Sequence, residues 1–134
     1  MKLKSVAYFC LVAFLLAFRS GNIVPNFTGN WHTETANASF DLDLTQTKNA
    51  LRGSHCSVQN GGNKIDCVLD ETDISITGIV GSSSTVTVTF TSQFSQKKGS
   101  AKITKMNDST IEWEIITKPK GVFYIPSHTT LKKR

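Results

Sequence analysis

The 134-residue chain has no apolar run long enough to read as a membrane-spanning helix, which wants roughly 20 such residues. Its longest run, Val6 to Phe18, is thirteen largely apolar residues behind Lys2 and Lys4. No segment of ten residues or more carries a helical hydrophobic period, so neither an amphipathic membrane-surface helix nor a helical bundle is indicated. There is no arginine-rich stretch and no array of interleaved aromatics, which removes the usual footprint of nucleic-acid binding. No glycine-rich phosphate loop, nucleophile elbow or metal-binding helix motif is present, so no cofactor is indicated. Cysteine is scarce, with three residues, of which Cys10 lies inside the N-terminal apolar run.

That run has the form of a secretory signal peptide, a basic n-region followed by an h-region of suitable length. Residues 1–17 are assigned to it, with an end that extends up to about residue 21, and no stable membrane anchor is expected. Cys10 lies within the apolar run and not after it, so a lipoprotein anchor is not read there. Residues 18–134 then form a single domain, secreted to an extracellular or periplasmic space. Removing Lys2 and Lys4 takes the formal charge from +5 to +3, a balance that says little about partners. Short basic clusters at Lys97-Lys98, Lys118/Lys120 and Lys132-Lys133-Arg134 read as solvated turns and a tail.

After residue 28 the hydrophobic period is close to two. In "SFDLDLT" Phe40, Leu42 and Leu44 share one face against Asp41 and Asp43. "TVTVTFT" sets Val86, Val88 and Phe90 against threonines, and "TIEWEIIT" sets Ile111, Trp113 and Ile115 against glutamates. "DISITGIV" is read with Ile74 and Ile76 on one side. Such segments are half-buried strands, dry on one face and wet on the other. Turn residues punctuate them about every ten positions, which indicates a meander of antiparallel hairpins. Eight or nine strands are predicted, near 28–35, 38–46, 50–58, 64–70, 73–80, 84–92, 99–106, 109–117 and 121–125. A long meander with one apolar face buries it best by closing on itself. The predicted fold is therefore all-β, an antiparallel up-and-down meander closed into a small barrel of about eight strands. A two-sheet β-sandwich is the alternative.

"CSVQNGGNKIDC", Cys56 to Cys67, folds back about Gly61-Gly62. Asn-Gly and Gly-Gly are strong hairpin signals, because the favoured turns need positive φ. That register opposes Val58 to Ile65, Ser57 to Asp66 and Cys56 to Cys67. Opposed Cα atoms lie roughly 4.5–5.5 Å apart, within the span of a disulfide. A Cys56–Cys67 bridge is the leading reading and implies an oxidising compartment. Two free buried thiols, or a metal site shared with His55 and a second histidine, are the alternatives. The same register leaves Leu51, Gly53 and His55 on the face opposite Cys56 and Val58, unless Gly53 marks a bulge. His55 is thus open to either face.

"NFTGNWHTE", Asn26 to Glu34, carries Gly29-x-Trp31 at the head of the first strand. Behind a signal peptide and ahead of a β-meander, this resembles the calycin group of lipocalins, fatty-acid-binding proteins and avidins. "FTGNW" followed by "LRGSH" at 51–55 is similar to the first two strands of avidin-like barrels. The resemblance implies a barrel with Trp31 packed across its closed end and a small apolar ligand admitted at the other. Only Trp31 and Trp113 are present, so the avidin tryptophan set and biotin binding do not carry over.

The function expected from this pattern is non-catalytic binding of a small, mostly apolar ligand. Its lining would come from the inward residues Phe40, Leu42, Leu44, Val86, Val88, Phe90 and Trp113. The alternative is a secreted inhibitor or adaptor that binds a protein partner through barrel loops, with Phe94 and Phe123-Tyr124-Ile125 as anchors. Interior space separates the two: an apolar cavity of a few hundred Å3 suits a carrier, and a packed interior with exposed loop aromatics suits an interaction protein. His55, Asp66 and a serine could be assembled into a triad, but ordinary β-proteins supply such residues freely. Asp41/Asp43 and Glu112/Glu114 alternate with the core and read as a solvated outer face.

Overall fold

The computed structural model describes residues 23–134. The expected signal peptide lies outside the described residues. The described chain forms one antiparallel sheet from β1 (Gly29–Glu34), β2 (Ser39–Thr47), β3 (Ala50–Gln59), β4 (Lys64–Cys67), β5 (Ile76–Ile79), β6 (Thr85–Thr91), β7 (Lys98–Asn107), β8 (Thr110–Thr117) and β9 (His128–Lys133). β1 pairs with both β2 and β9, so the sheet closes on itself. Around the ring the order is β1, β2, β3, β5, β6, β7, β8, β9, an eight-strand barrel. Among the described residues no helix is long and apolar enough to cross a membrane.

The ninth strand, β4, shares a position with β5. Both pair with the same edge of β3, β4 along Cys56 to Gln59 and β5 along Ala50 to Gly53. The chain leaves the sheet after Val68, whose N–H donates to the His55 carbonyl, and rejoins it at Ser75, whose N–H donates to Gly53. The expected strands 64–70 and 73–80 are therefore shorter, with residues 69–74 looping out between them. This corrects the placement of Ile74 beside Ile76. Ile76 is fully buried, whereas Ile74 belongs to the excursion and is exposed.

A second correction concerns the last strand. Residues 121–125 are not a strand; they belong to a long connection, 118–127, and the closing strand is β9. β9 aligns Leu131 with Ile111 and Thr129 with Trp113, so its one buried apolar side chain completes the core. The basic end read as a tail therefore pairs with β1, with Lys133 opposite Trp31 and its ammonium 5.6 Å from the indole.

Period-two alternation holds along β2, β6 and β8. Phe40, Leu42, Leu44, Val86, Val88, Phe90, Ile111 and Trp113 all point inward and are buried. Strand direction gives the barrel two ends. One carries the short turns and the segment 25–28. The Phe27 carbonyl there accepts from Trp31 Nε1 at 2.9 Å, and Gln46 pins Phe27 and Pro25 by its side-chain amide. The other, the loop end, carries residues 35–38, 60–63, 92–97 and 118–127.

Candidate functional site

β3 pairs with β2 in unbroken register from Ser39↔Val58 to Thr47↔Ala50, so Gly53 marks no bulge. It marks a close approach. A Cβ at Gly53 would lie 2.2 Å from the Asp43 carbonyl oxygen. With the register continuous, Leu51, Gly53, His55 and Ser57 face inward, and Cys56 and Val58 face out. The expected pairing of Cys56 with Cys67 holds, and the two are joined by a disulfide on the outer surface. Among the described residues no three His, Cys, Asp or Glu side chains are grouped to hold a metal.

From His55 onward the inward side of β3, and that of β4, is polar. His55, Ser57, Asp66, Ser75 and Ser92 are all buried. Asp66 stands at their centre. Its Oδ1 accepts from His55 Nε2 at 2.9 Å and from the Gln93 N–H at 2.7 Å. Its Oδ2 accepts from Ser92 Oγ at 2.6 Å and from the Tyr124 N–H at 3.2 Å. Burial alone would raise the Asp66 pKa, but bonds from His55, Ser92 and the Gln93 and Tyr124 amides outweigh it and lower the carboxyl from 3.8 to about 2. Asp66 is thus an anion at neutral pH.

Ser75, His55 and Asp66 form a continuous hydrogen-bonded row. Ser75 Oγ accepts from the His55 backbone N–H at 3.1 Å and lies 2.7 Å from His55 Nδ1. With Ser75 donating to Nδ1 and Nε2–H donating to Asp66, each of these polar groups is satisfied. Ser75 is only 4% exposed. A hydroxyl so enclosed and doubly engaged offers no approach to a substrate carbonyl. The row braces the fold at the point where β4 breaks away to form the 69–74 excursion.

The remaining histidines are elsewhere, beside other carboxylates: His32 between Asp41 at 2.7 Å and Glu34 at 3.4 Å, and His128 on Glu112 at 2.9 Å. Asp41 also meets Arg134, and Glu114 meets Lys102. These are outer-face contacts.

From Asp66 the network runs outward to the loop end. Ser92 Oγ, held by Asp66, accepts from the Phe94 and Ser95 N–H groups and so shapes the 92–97 turn. Ser57 Oγ donates to the Tyr124 carbonyl at 2.6 Å. Both backbone groups of Tyr124 are therefore bonded by inward barrel side chains. Phe94 and Tyr124 then meet edge to face, 4.7 Å between centroids, and Lys64 lies 5.6 Å over the Tyr124 ring. Phe94 is 55% exposed, as is Val122 on the neighbouring connection. Of the anchors expected there, Phe123 and Tyr124 are half-buried, and Ile125 is a core residue.

All seven residues expected to line a ligand site lie in one core cluster. Trp113 touches Phe40 and Phe90 at ring separations of 5.4 and 5.5 Å, so three aromatics share one level of the barrel. A cleft of about 180 Å3 at the loop end reaches Phe40, between Ala38, Ser57 and Pro126. Two open clefts of about 660 and 510 Å3 flank the 69–74 excursion on the outer face of β2 and β3. None of these three is lined by Leu42, Leu44, Val88, Phe90 or Trp113.

The signal for the Asp66 network was present in the sequence as the opposition of Ser57 to Asp66. Nothing local linked it to Ser92 or Tyr124, which join it from 26 and 58 residues away. Fold and site define an eight-strand antiparallel barrel with a polar hub beneath an aromatic rim. Comparison with protein-family models, with curated proteins and with solved structures finds no match for the chain.

Proposed function

We propose that this chain is a secreted, non-catalytic binding protein that engages a macromolecular partner, as an inhibitor or adaptor, through the loop end of its barrel. The carrying observation is the exposed Phe94 ring, set edge to face against Tyr124 over loops pinned from below by buried Asp66. Pre-organised aromatics of this kind serve as anchors at protein interfaces, where ordering them costs little entropy. The close packing of Phe40, Phe90 and Trp113 favours this reading over a carrier of apolar ligands. Secretion fits the N-terminal basic-apolar run and the Cys56–Cys67 disulfide. The Gly29-x-Trp31 motif, with Trp31 buried near the short-turn end, supports a relation to the calycin group.

The test is photo-crosslinking in the secreting cells' own extracellular or periplasmic fluid, with the reactive group placed at position 94 or, as a control, at Thr87 on the outer barrel. A discrete adduct from position 94 that is absent from position 87, and competed by the unlabelled chain but not by its Phe94→Ala variant, is the expected result. Equal labelling from both positions would contradict the proposal.

A further inference from the structure

The loop end carries an excess of positive charge, five exposed lysines against one exposed acid, Glu34. The four connections at that end, 35–38, 60–63, 92–97 and 118–127, contain no Asp or Glu. Lys97, Lys118 and Lys120 lie in them, and Lys64 and Lys98 stand at the adjoining strand ends. All five are exposed. Among the described residues no ion pair involves any of the five, whereas Lys102, Lys105 and Arg134 each have a carboxylate partner. Asp66, buried beneath these loops, is engaged by His55, Ser92 and the Gln93 and Tyr124 amides, and Glu34, the one exposed acid at an adjoining strand end, lies 3.4 Å from His32. The loops also touch one another: an added Cβ at Gly121 would lie 3.3 Å from the Lys97 side chain. The charges therefore belong to one surface and not to separate tips.

An excess of like charge around an apolar projection costs self-repulsion in the free protein. A partner of opposite sign relieves it. The apolar part of the surface is small and protrudes, as Phe94 and Val122, and neither of these two, nor any of the five lysines, lines the clefts described above. A protruding ring amid lysines suits insertion into a socket on the other molecule, with carboxylates around the socket's rim.

Resting on the proposal that the loop end is the binding surface, we infer that its partner is an acidic protein surface: Phe94 enters an apolar socket, and Lys64, Lys97, Lys98, Lys118 and Lys120 meet carboxylates around it. Rim charges of this kind act chiefly on association rate and on salt dependence.

The test uses the mature chain and poly-L-glutamate as the acidic probe, followed by amide chemical shifts at low ionic strength. Shifts confined to residues 60–65, 92–98 and 118–124, lost on adding salt and weakened about tenfold or more in a Lys97→Glu/Lys120→Glu variant, are expected. Unchanged shifts elsewhere in the variant show that it folds. Shifts centred on another face, or no response, would overturn the inference. So would binding to phosphatidylglycerol vesicles without a response to poly-L-glutamate, which would make the surface a lipid-binding one. If a partner crosslinked through position 94 is retained by the double variant, the acidic-partner inference fails while the loop-end proposal stands. If position 94 yields no specific adduct, the loop-end proposal itself fails.

Discussion

Asp66 Oδ1 lies 2.9 Å from His55 Nε2 inside the barrel, directly behind an outward-facing disulfide that joins the neighbouring residues Cys56 and Cys67. The pair sets the polarity of this part of the molecule. From His55 onward β3, and with it β4, turns polar residues in and apolar ones out, and the carboxylate ties β4 to segments 92–93 and 124.

Asp66→Asn should therefore be costly. An amide oxygen cannot serve four donors, and the amide nitrogen would confront a backbone N–H it cannot accept from. Breaking one partner of a buried charged network costs about 3–5 kcal/mol. Urea unfolding should show a loss of that order, and a change below about 0.5 kcal/mol would remove Asp66 from its central place.

The same group sets an acid limb. The folded pKa, about 2, lies below the ordinary value of 3.8, so the contribution is complete above about pH 4 and is lost as pH falls through about 2. The amount is on the order of 2 kcal/mol. Denaturant titrations between pH 5 and 2, which cover that window, should show wild-type stability falling more steeply than that of Asp66→Asn. Parallel curves would contradict the assignment.

Two glycines in the β2–β4 region should respond differently. Gly53→Ala places a methyl 2.2 Å from the Asp43 backbone oxygen, which can yield only by moving strand β2. It should cost about 3 kcal/mol or more. Gly61 has φ +63 and open space around its Cβ position, so Gly61→Ala should cost only about 1 kcal/mol. Thermal melts of the two variants check the order.

Removing the bridge by Cys56→Ala/Cys67→Ala frees a twelve-residue loop in the unfolded chain. By the chain-entropy argument this costs about 3 kcal/mol. Because the bridge faces outward, the Asp66 network and the Phe94–Tyr124 contact should survive in the folded variant, visible as unchanged amide shifts for residues 92–97.

Much of the barrel was legible because most of its strands obey a simple rule. In β2, β6 and β8 every second residue is large and apolar, and that face is the inner one. The Cys56–Cys67 register was legible because the turn glycines fix it. β3 and β4 hid their orientation because the rule inverts there. Val58, Ile65 and the cysteines look like a core face, but Ile65 is 50% exposed and His55, Ser57 and Asp66 form the inside. Gly53 suggested a bulge because a missing side chain signals either a bulge or a close approach, and only the packing of β2 tells which. β9 escaped notice because a strand with one buried apolar residue, Leu131, carries almost no period of its own. Its place is fixed by β1 and β8 on either side. The loop-end surface was half legible: Phe94 and Tyr124 stood out, but the absence of acid from all four connections has meaning only once the barrel brings them together.

The central claim is that this barrel is filled by its own side chains and acts through its rim. Native mass spectrometry of the protein purified from the cells that make it, before and after reduction, tests it most directly. A filled barrel predicts the bare chain, two protons lighter than its reduced form, with no small molecule retained. A folded chain that carries a discrete apolar adduct, released on unfolding, would contradict it and return Phe40, Leu42, Phe90 and Trp113 to the wall of a ligand cavity.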